Sequence, residues 1–207
     1  MHTERVHSAD DVVRAARSLF ERGLTHGSTG NISLRTAEGI LVTPTGSSLG
    51  TLRADDLSLI DATGRHLSGP RPSKEAFLHA AVLRARRGAG AVVHTHSTYS
   101  AALSCRGDLN NADVLPPLTA YYAMRVGRLP LLPYHAPGDD GLESLAERTA
   151  AEHHAMLLSN HGPVVAGSTL SAAMDALEEI EETARLFFLL EHLPVSPLTD
   201  EQVASLR

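Results

Sequence analysis

Two histidines separated by one residue, His94 and His96, follow a short apolar run at residues 91–93. The run is rich in valine and predicts a buried strand. Side chains on a strand alternate between its two faces, so both imidazoles can point the same way and bind one metal ion. Histidines spaced in this way also occur as hydrogen-bonded structural residues, and the pair alone does not decide between the two interpretations.

A third histidine, His161, lies between apolar runs at residues 155–159 and 163–166. The runs predict two strands, which would place His161 at a strand end as well. Catalytic zinc sites use three protein ligands and leave one position open, whereas structural zinc sites are closed and rich in cysteine. Because Cys105 is the only cysteine, the residues favour a catalytic divalent ion. Zn²⁺ is the ion expected, with Mn²⁺ or Co²⁺ as alternatives.

Two loops at residues 25–31 and 43–48 are rich in glycine and hydroxyl residues. Such loops can present backbone N–H groups to an anion, although neither matches a P-loop or a dinucleotide fingerprint. Ser73 predicts the start of a helix over residues 74–87, with Glu75 in its first turn. There Glu75 can either transfer protons or complement the helix dipole. His79, four residues on, can lie beside Glu75 or be an ordinary core or surface histidine.

The composition describes the chain as a whole. Its 207 residues are 43% hydrophobic and 20% charged, which predicts one globular domain over residues 1–207. The formal charge of −6 argues against non-specific binding to nucleic acid or membranes. No apolar run approaches the roughly 20 residues of a membrane span, and the N-terminus lacks the pattern of a signal peptide. A lone cysteine excludes an intrachain disulfide and fits a reducing cytoplasm.

Periodicity and turn residues predict the other elements. A first helix is expected to be capped by Ser8 or Asp10 and to end near Gly23. Strands are predicted at residues 31–35, 39–43, 57–61 and 129–134, the first two as a hairpin and the last short or at a sheet edge. Helices are predicted at residues 97–103, 142–154, 170–190 and 200–206. In the helix over residues 170–190, the glutamates at 178, 179, 181 and 182 are expected on the solvated side.

Five motifs occur in order along the chain: Thr29-Gly-Asn-Ile-Ser33, Thr43-Pro-Thr-Gly46, Pro72-Ser-Lys-Glu75, His94-Thr-His96 and Asn160-His-Gly162. Together they resemble the class II aldolase/adducin family over nearly the whole chain. The resemblance implies an α/β fold of three α/β/α layers around a central, mainly antiparallel sheet. It also implies a homotetramer.

The same resemblance implies roles for the motif residues. His94, His96 and His161 would hold the divalent ion, and Glu75 would be the acid/base residue, close enough to act as a ligand in the resting state. Asn31, Thr45, Gly46 and Ser73 would contact the substrate phosphate. Tyr121 matches a catalytic tyrosine that reaches the site of a neighbouring subunit.

Family membership does not fix the reaction. Relatives include sugar-phosphate aldolases, an epimerase, a dehydratase and non-catalytic cytoskeletal proteins, and the last group is disfavoured because every metal and base position is kept. Residues 23–31, 72–79 and 115–127 most resemble bacterial 3-oxo-tetronate 4-phosphate decarboxylases. The resemblance implies a carboxy-lyase of sugar-acid catabolism that forms dihydroxyacetone phosphate and CO₂ through an enediolate. A fuculose-phosphate-aldolase-like enzyme, or another lyase of the family, is the alternative.

The two reactions share the enediolate, which a metal chelating the C3 oxygen and the C2 hydroxyl can stabilise. They differ in the leaving group, which is CO₂ in one and an aldehyde in the other. Lys74 replaces a small hydroxyl residue of fuculose-phosphate aldolases and is one candidate for binding the substrate carboxylate. Arg125 and His26 are the others. If they do not bind the carboxylate, Lys74 and Arg125 are ordinary surface charges, and His26 makes a hydrogen bond within its loop.

Overall fold

A computed structural model describes residues 2–136 and 138–206, with side chains from residue 8 onward. The strands are β1 (Asn31–Thr36), β2 (Gly39–Val42), β3 (Ser58–Ile60), β4 (His66–Ser68), β5 (Ala91–His94), β6 (Leu131–Leu132), β7 (Ala155–Leu158) and β8 (Gly162–Gly167). They form one eight-stranded sheet in the order β4-β3-β2-β1-β5-β8-β7-β6. Within the described ranges, only the edge pair β6 and β7 is parallel.

Helices cover both faces of this sheet. They are α1 (His2–Glu21), α2 (Ala76–Ala85), α3 (Thr98–Ser104), α4 (Ala120–Arg125), α5 (Gly141–Glu152), α6 (Leu170–Leu189) and α7 (Asp200–Ala204), with a 3₁₀ turn at Ala54–Asp56. One core contains residues of α1, α3, α4 and α6, and the other contains residues of α2 and α5. Successive strand residues alternate between the cores, so Val93 packs in the first and Val92 in the second. The predicted three-layer, mainly antiparallel α/β fold is confirmed.

Most of the predicted elements are present, including the β1–β2 hairpin and the short edge strand β6. The prediction for the start of α1 was wrong. Ser8 and Asp10 lie inside α1, which begins at His2. The tendency of serine or aspartate to occupy the N-cap position is only a local preference. A helix continues past such a residue when the preceding residues also adopt helical geometry.

The predicted start of the second helix was also wrong. The helix α2 begins at Ala76, so Ser73 and Lys74 precede it and Glu75 occupies its N-cap position. Upstream, Pro72 forms a β-bridge with Pro44, and the Ser73 N–H donates to the carbonyl of Thr43 at 3.1 Å. These contacts keep the backbone before Lys74 extended, so the helix can begin only after Lys74.

Three elements were not predicted: the 3₁₀ turn, β4 and the short helix α4. All three residues of β4 are exposed, so the strand lacks the apolar alternation on which a prediction depends. None of the helices in the described part of the chain combines the length and apolar character needed to span a bilayer.

Candidate active site

The sheet topology brings distant parts of the sequence to one edge. Because β2, β1, β5 and β8 are consecutive antiparallel neighbours, the starts of β1 and β8 lie beside the ends of β2 and β5. Asn31 at the start of β1 is registered against His94 at the end of β5. His94 is in turn registered against Val164, three residues after His161. Side chains 130 positions apart in the chain therefore meet at this edge.

The three histidines form a compact cluster. Their Nε2 atoms are separated by 2.9 Å between His161 and His96, 3.1 Å between His96 and His94, and 3.3 Å between His94 and His161. Zinc–nitrogen bonds of 2.0–2.1 Å in tetrahedral geometry place two ligand nitrogens about 3.3 Å apart. These residues therefore fit a single divalent ion held by three imidazoles.

A backbone contact fixes the tautomer of one ligand. His94 Nδ1 lies 2.8 Å from the carbonyl oxygen of Pro163, and only a protonated nitrogen can donate to it. The Nε2 lone pair of the neutral ring is then free to face the cluster. Burial, followed by the charges of neighbouring histidines, lowers the pKa of His96 to about 3. Burial and the charge of His94 lower the pKa of His161 to about 4, so both rings are neutral ligands at neutral pH.

Glu75 completes the cluster from the N-cap position of α2. Its Oε1 lies 3.3 Å from His161 Nε2, and its Oε2 lies 3.5 Å from His94 Nε2. Asn31 Nδ2 donates to Oε2 at 2.7 Å. Burial raises the pKa of Glu75, but the charges of His94 and His161 and the bond from Asn31 outweigh burial and lower the pKa to about 2. At neutral pH the group is a buried carboxylate, suited to bind a cation or accept a proton.

Two glycines allow the backbones around the cluster to approach closely. A Cβ on Gly162 would lie 2.2 Å from the carbonyl oxygen of Thr95, and a Cβ on Gly30 would lie 2.8 Å from that of His94. Contacts this short are not found for real Cβ atoms, so both positions require glycine. The turn that carries His161 also contains Asn160 at φ 55°, a left-handed conformation that asparagine tolerates better than most residues.

A cleft of about 280 Å³ opens in front of the cluster. Both glycine-and-hydroxyl loops line it, because one precedes β1 and the other follows β2 at the same end of the hairpin. Glu75, His96 and His161 also line it. The remaining lining residues are Ser28, Thr29, Gly30, Asn31, Pro44, Thr45, Gly46, Ser73 and Lys74. Every residue for which the sequence predicted a phosphate contact therefore borders this cleft.

The three candidates for binding a carboxylate lie in different places. Lys74 is exposed at the rim of the cleft, next to Glu75, and it is the only lysine in the sequence. His26 is also exposed, and its carbonyl oxygen accepts a hydrogen bond of 2.6 Å from the hydroxyl of Thr29, which lines the cleft. Arg125 instead borders a larger depression with Gly167, at the end of β8 remote from His161. Arg125 does not line the cleft of its own chain.

Tyr121 lies on α4 with Arg125 and does not line the cleft of its own chain. Its side chain is 60% exposed, and the guanidinium of Arg125 lies 5.2 Å from the ring centre. Arg125 also forms ion pairs with Glu179 at 3.5 Å and with Asp175 at 3.8 Å. Any role for Tyr121 in catalysis requires a second chain, and its assignment remains a prediction.

His79 is a core histidine and does not line the cleft. It is fully buried, and its Nδ1 lies 2.8 Å from Ser33 Oγ. Burial and the charge of His94 lower its pKa to about 3. Of the two interpretations of the sequence, the structure supports the core one, although Glu75 lies only one helical turn away.

The sequence did not identify Ser104 and Glu181 as functional residues. Their side chains hold the segments that carry the metal-binding histidines. The Ser104 hydroxyl accepts a hydrogen bond from the His161 backbone N–H at 3.1 Å. Glu181 was predicted to face solvent, but it is half-buried and accepts hydrogen bonds from the first turn of α3. Periodicity places Glu181 on the polar side of α6, and no local pattern reveals that another helix end packs there.

Known proteins resemble this chain over nearly its whole length. Residues 10–188 match the family described as Class II Aldolase and Adducin N-terminal domain. The 3-oxo-tetronate 4-phosphate decarboxylase of Escherichia coli (strain K12) is 46% identical over 199 residues, which cover 96% of this chain and 94% of that protein. The L-fuculose phosphate aldolase of Methanocaldococcus jannaschii is 34% identical over 178 residues, covering 86% and 93%. The crystal structure of YgbL from Klebsiella pneumoniae superposes with a TM-score of 0.95 at 43% identity, covering 98% of this chain and 99% of that one.

Proposed function

The chain belongs to the class II aldolase and adducin family, and we propose that it is a carboxy-lyase acting on a 3-oxo-tetronate 4-phosphate. The C1–C2 bond breaks and CO₂ leaves from C1. The electron pair of that bond moves into the enediolate of C2 and C3, and C2 then takes up a proton. The product is dihydroxyacetone phosphate, and the reaction requires no oxidant or reductant.

One observation carries the choice of this reaction over aldol cleavage. Sequence identity is 46% to a decarboxylase with that substrate name and 34% to a fuculose phosphate aldolase. The cleft agrees with the choice, since its rim carries the only lysine of the chain beside Glu75. A ketose phosphate lacks the carboxylate that could pair with that ammonium group.

His94, His96 and His161 would hold the divalent ion through their Nε2 atoms, with Glu75 as a fourth ligand before substrate binds. Zn²⁺ is the proposed ion, because three imidazoles and a carboxylate without cysteine are typical of catalytic zinc sites. A bound ion would act as a Lewis acid for the negative charge that develops on the substrate oxygens as CO₂ departs.

Glu75 would move the proton. Its low pKa makes it a carboxylate at neutral pH, so it can take the proton of the C2 hydroxyl and later deliver that proton to C2. The C2 oxygen then takes a replacement proton from water, which supplies the one proton that decarboxylation consumes. A group that exchanges a proton in this way contributes about 10²–10⁴ to the rate. Asn31 would keep the carboxylate in place through its hydrogen bond to Oε2.

Polar residues of the cleft wall would bind the phosphate. Thr45, Gly46, Ser73 and Asn31 line it together, and hydroxyl, amide and backbone N–H groups are the usual uncharged partners of phosphate oxygens. Lys74 would pair with the C1 carboxylate. A charge pair of this kind favours substrates that carry a carboxylate over those that lack one.

The alternative reaction is cleavage of a phosphosugar to dihydroxyacetone phosphate and an aldehyde, as in the fuculose phosphate aldolases. One assay separates the two. The purified protein is incubated with 3-oxo-tetronate 4-phosphates and, separately, with ketose 1-phosphates, and released CO₂ and released aldehyde are both measured. We expect CO₂ from the oxo acids and little or no aldehyde. Aldehyde without CO₂ would replace the proposal with the aldolase, and neither product would contradict both.

We propose a homotetramer in which Tyr121 of one chain reaches the cleft of its neighbour. The exposed Tyr121 and Met124 side chains on α4, 60% and 56% accessible, support this proposal. Light scattering at micromolar concentration measures the oligomeric state, and an activity assay at nanomolar dilution shows whether dissociated chains are active. A monomer that keeps full activity would contradict it. The lone cysteine supports a location in the reducing cytoplasm.

A further inference from the structure

The helix α3 connects two of the three metal-binding histidines. His96 is separated from α3 by one residue, Ser97, which occupies the N-cap position. The other end of α3, at Ser104, contacts the turn that carries His161. A shift of α3 would therefore change the distance between two imidazoles that are only 2.9 Å apart at Nε2.

The N-terminal end of α3 is held by a side chain from another helix. Ser97 makes no side-chain capping bond. Instead, Glu181 of α6 accepts hydrogen bonds from the backbone N–H groups of Tyr99 at 2.9 Å and Ser100 at 2.8 Å. It also accepts a bond from the Ser100 hydroxyl at 2.7 Å. A carboxylate at a helix N-terminus is favoured by the unpaired N–H groups and by the helix dipole.

The C-terminal end of α3 is tied to the third ligand through Ser104, which is 1% exposed. Its hydroxyl donates to the Ala101 carbonyl at 2.7 Å and accepts from the His161 N–H at 3.1 Å. Its carbonyl oxygen accepts from the Asn160 N–H at 3.1 Å. Asn160 is the non-glycine residue with positive φ among the described residues, so the turn is held in its unusual conformation from the α3 side.

We infer that Glu181 and Ser104 are positioning residues for the metal site and that they act through α3. Glu181 fixes the end of α3 that follows His96, and Ser104 fixes the end that holds His161. Neither side chain belongs to the imidazole cluster. The inference rests on the proposed metal site formed by the three histidines.

A positioning role for Glu181 and Ser104 differs from a purely structural role in its effect on metal binding. A bond that only stabilises the fold can be lost without changing how the folded protein binds metal. A bond that sets the spacing of two ligands changes the affinity and the coordination of the ion, and partners of ligand residues are typically worth 10–100-fold in metal affinity. Binding of Co²⁺ is suitable because its visible absorption depends on coordination geometry.

The experiment uses the full chain freed of metal with a chelator and titrated with Co²⁺ in competition with a chelator of known affinity. Glu181→Gln is the main variant, because the amide keeps the size of the side chain but offers only one acceptor oxygen. We expect a Co²⁺ dissociation constant about 10–100-fold higher than that of the unmodified protein, together with an altered visible spectrum. Glu182→Gln is the matched control, since Glu182 is exposed and, among the residues that the structure describes, forms an ion pair of 3.6 Å with Arg185.

Ser104→Ala is the second variant, and it keeps the inference testable if Glu181→Gln fails to fold. It removes only the hydroxyl bonds to His161 and Ala101, and we expect the same direction of change in affinity and spectrum. Urea unfolding of the metal-free proteins measures the loss of stability separately. Reduced stability with unchanged Co²⁺ affinity and spectrum in both variants would overturn the inference. Failure of the unmodified protein to bind Co²⁺ would instead overturn the proposed metal site.

Discussion

Asn31 holds Glu75 by a hydrogen bond of 2.7 Å from its Nδ2 to Oε2 of the carboxylate. Both residues are buried, with 5% and 7% of their surfaces exposed. The bond joins the start of β1 to the N-cap position of α2, two segments separated by 44 residues. Because an amide donor stabilises the charged form of a carboxylate, the contact contributes to the low pKa of Glu75.

Replacing this donor by a second carboxylate should change the titration of Glu75. In Asn31→Asp the two acidic groups would share one site, which raises the pKa of one of them. We expect kcat to fall at least about tenfold and the acidic limb of the profile of kcat/KM against pH to move to higher pH. Asn110→Asp, at an exposed turn, is the control. An unchanged profile in Asn31→Asp would show that the contact does not tune the carboxylate.

Glu75 itself is expected to be needed for the reaction but not for folding. A carboxylate that only complements a helix dipole contributes less than about 1 kcal/mol to stability, whereas proton transfer contributes about 10²–10⁴ to the rate. Glu75→Gln should remain folded by circular dichroism and lose at least about a hundredfold in kcat. Glu152→Gln, which changes an exposed carboxylate at the end of α5, should be fully active. A destabilised but active Glu75→Gln would favour the dipole role.

His94 should be required for binding the metal ion. It is completely buried, and the Pro163 carbonyl fixes its tautomer, so alanine leaves His96, His161 and Glu75 as the remaining proposed ligands. We expect His94→Ala to retain far less metal than the unmodified protein when both are dialysed and analysed by elemental mass spectrometry. His192→Ala, which removes an exposed histidine of the tail, should retain the full amount. Equal metal content in the two variants would contradict the assignment of the cluster.

Lys74 should determine selectivity more than rate. A contact with the substrate carboxylate exists before the reaction and disappears as CO₂ forms, so it cannot stabilise the transition state more than the ground state. Lys74→Ser should therefore raise KM for the oxo acid far more than it lowers kcat, and it can also allow weak binding of ketose phosphates. Lys74→Arg keeps the charge and should be affected less. A fall in kcat at constant KM would instead place Lys74 in the chemistry, as a proton donor to C2.

His79 should make the metal-free protein sensitive to mild acid. Its pKa in the folded protein is about 3, whereas an unfolded histidine titrates near about 6.5. The unfolded state therefore binds more protons between these values, and the stability present above about pH 6.5 is lost as the pH falls towards 3. The slope from this group is at most about 1.4 kcal/mol per pH unit.

Urea unfolding of the metal-free protein at pH 7 and pH 5 tests this prediction. His79→Gln can keep a bond to Ser33 but does not titrate, so its free energy of unfolding should fall less between the two pH values. His192→Gln changes an exposed histidine of the tail and should behave as the unmodified protein does. If His79→Gln loses as much stability as the control, the acid sensitivity arises elsewhere.

Local patterns determined much of this protein. Alternating and apolar runs predicted β1, β2, β5, β7 and β8, and the spacing of His94 and His96 predicted a pair of ligands on one side of a strand end. The five motifs also carried the resemblance to the family that residues 10–188 match. These features could be predicted because strand alternation and the spacing within a motif depend only on residues close together in the sequence.

The tertiary structure decided which of these residues meet. Antiparallel pairing of four neighbouring strands brings Asn31, His94 and His161 to one edge of the sheet. In the structure, Arg125 borders another depression and not the cleft of its own chain. Glu181, which was predicted to face solvent, accepts hydrogen bonds from the first turn of α3. Periodicity identifies the polar side of a helix such as α6. It does not identify what packs against that side, because the order of strands and the docking of helices depend on contacts between residues far apart in the chain.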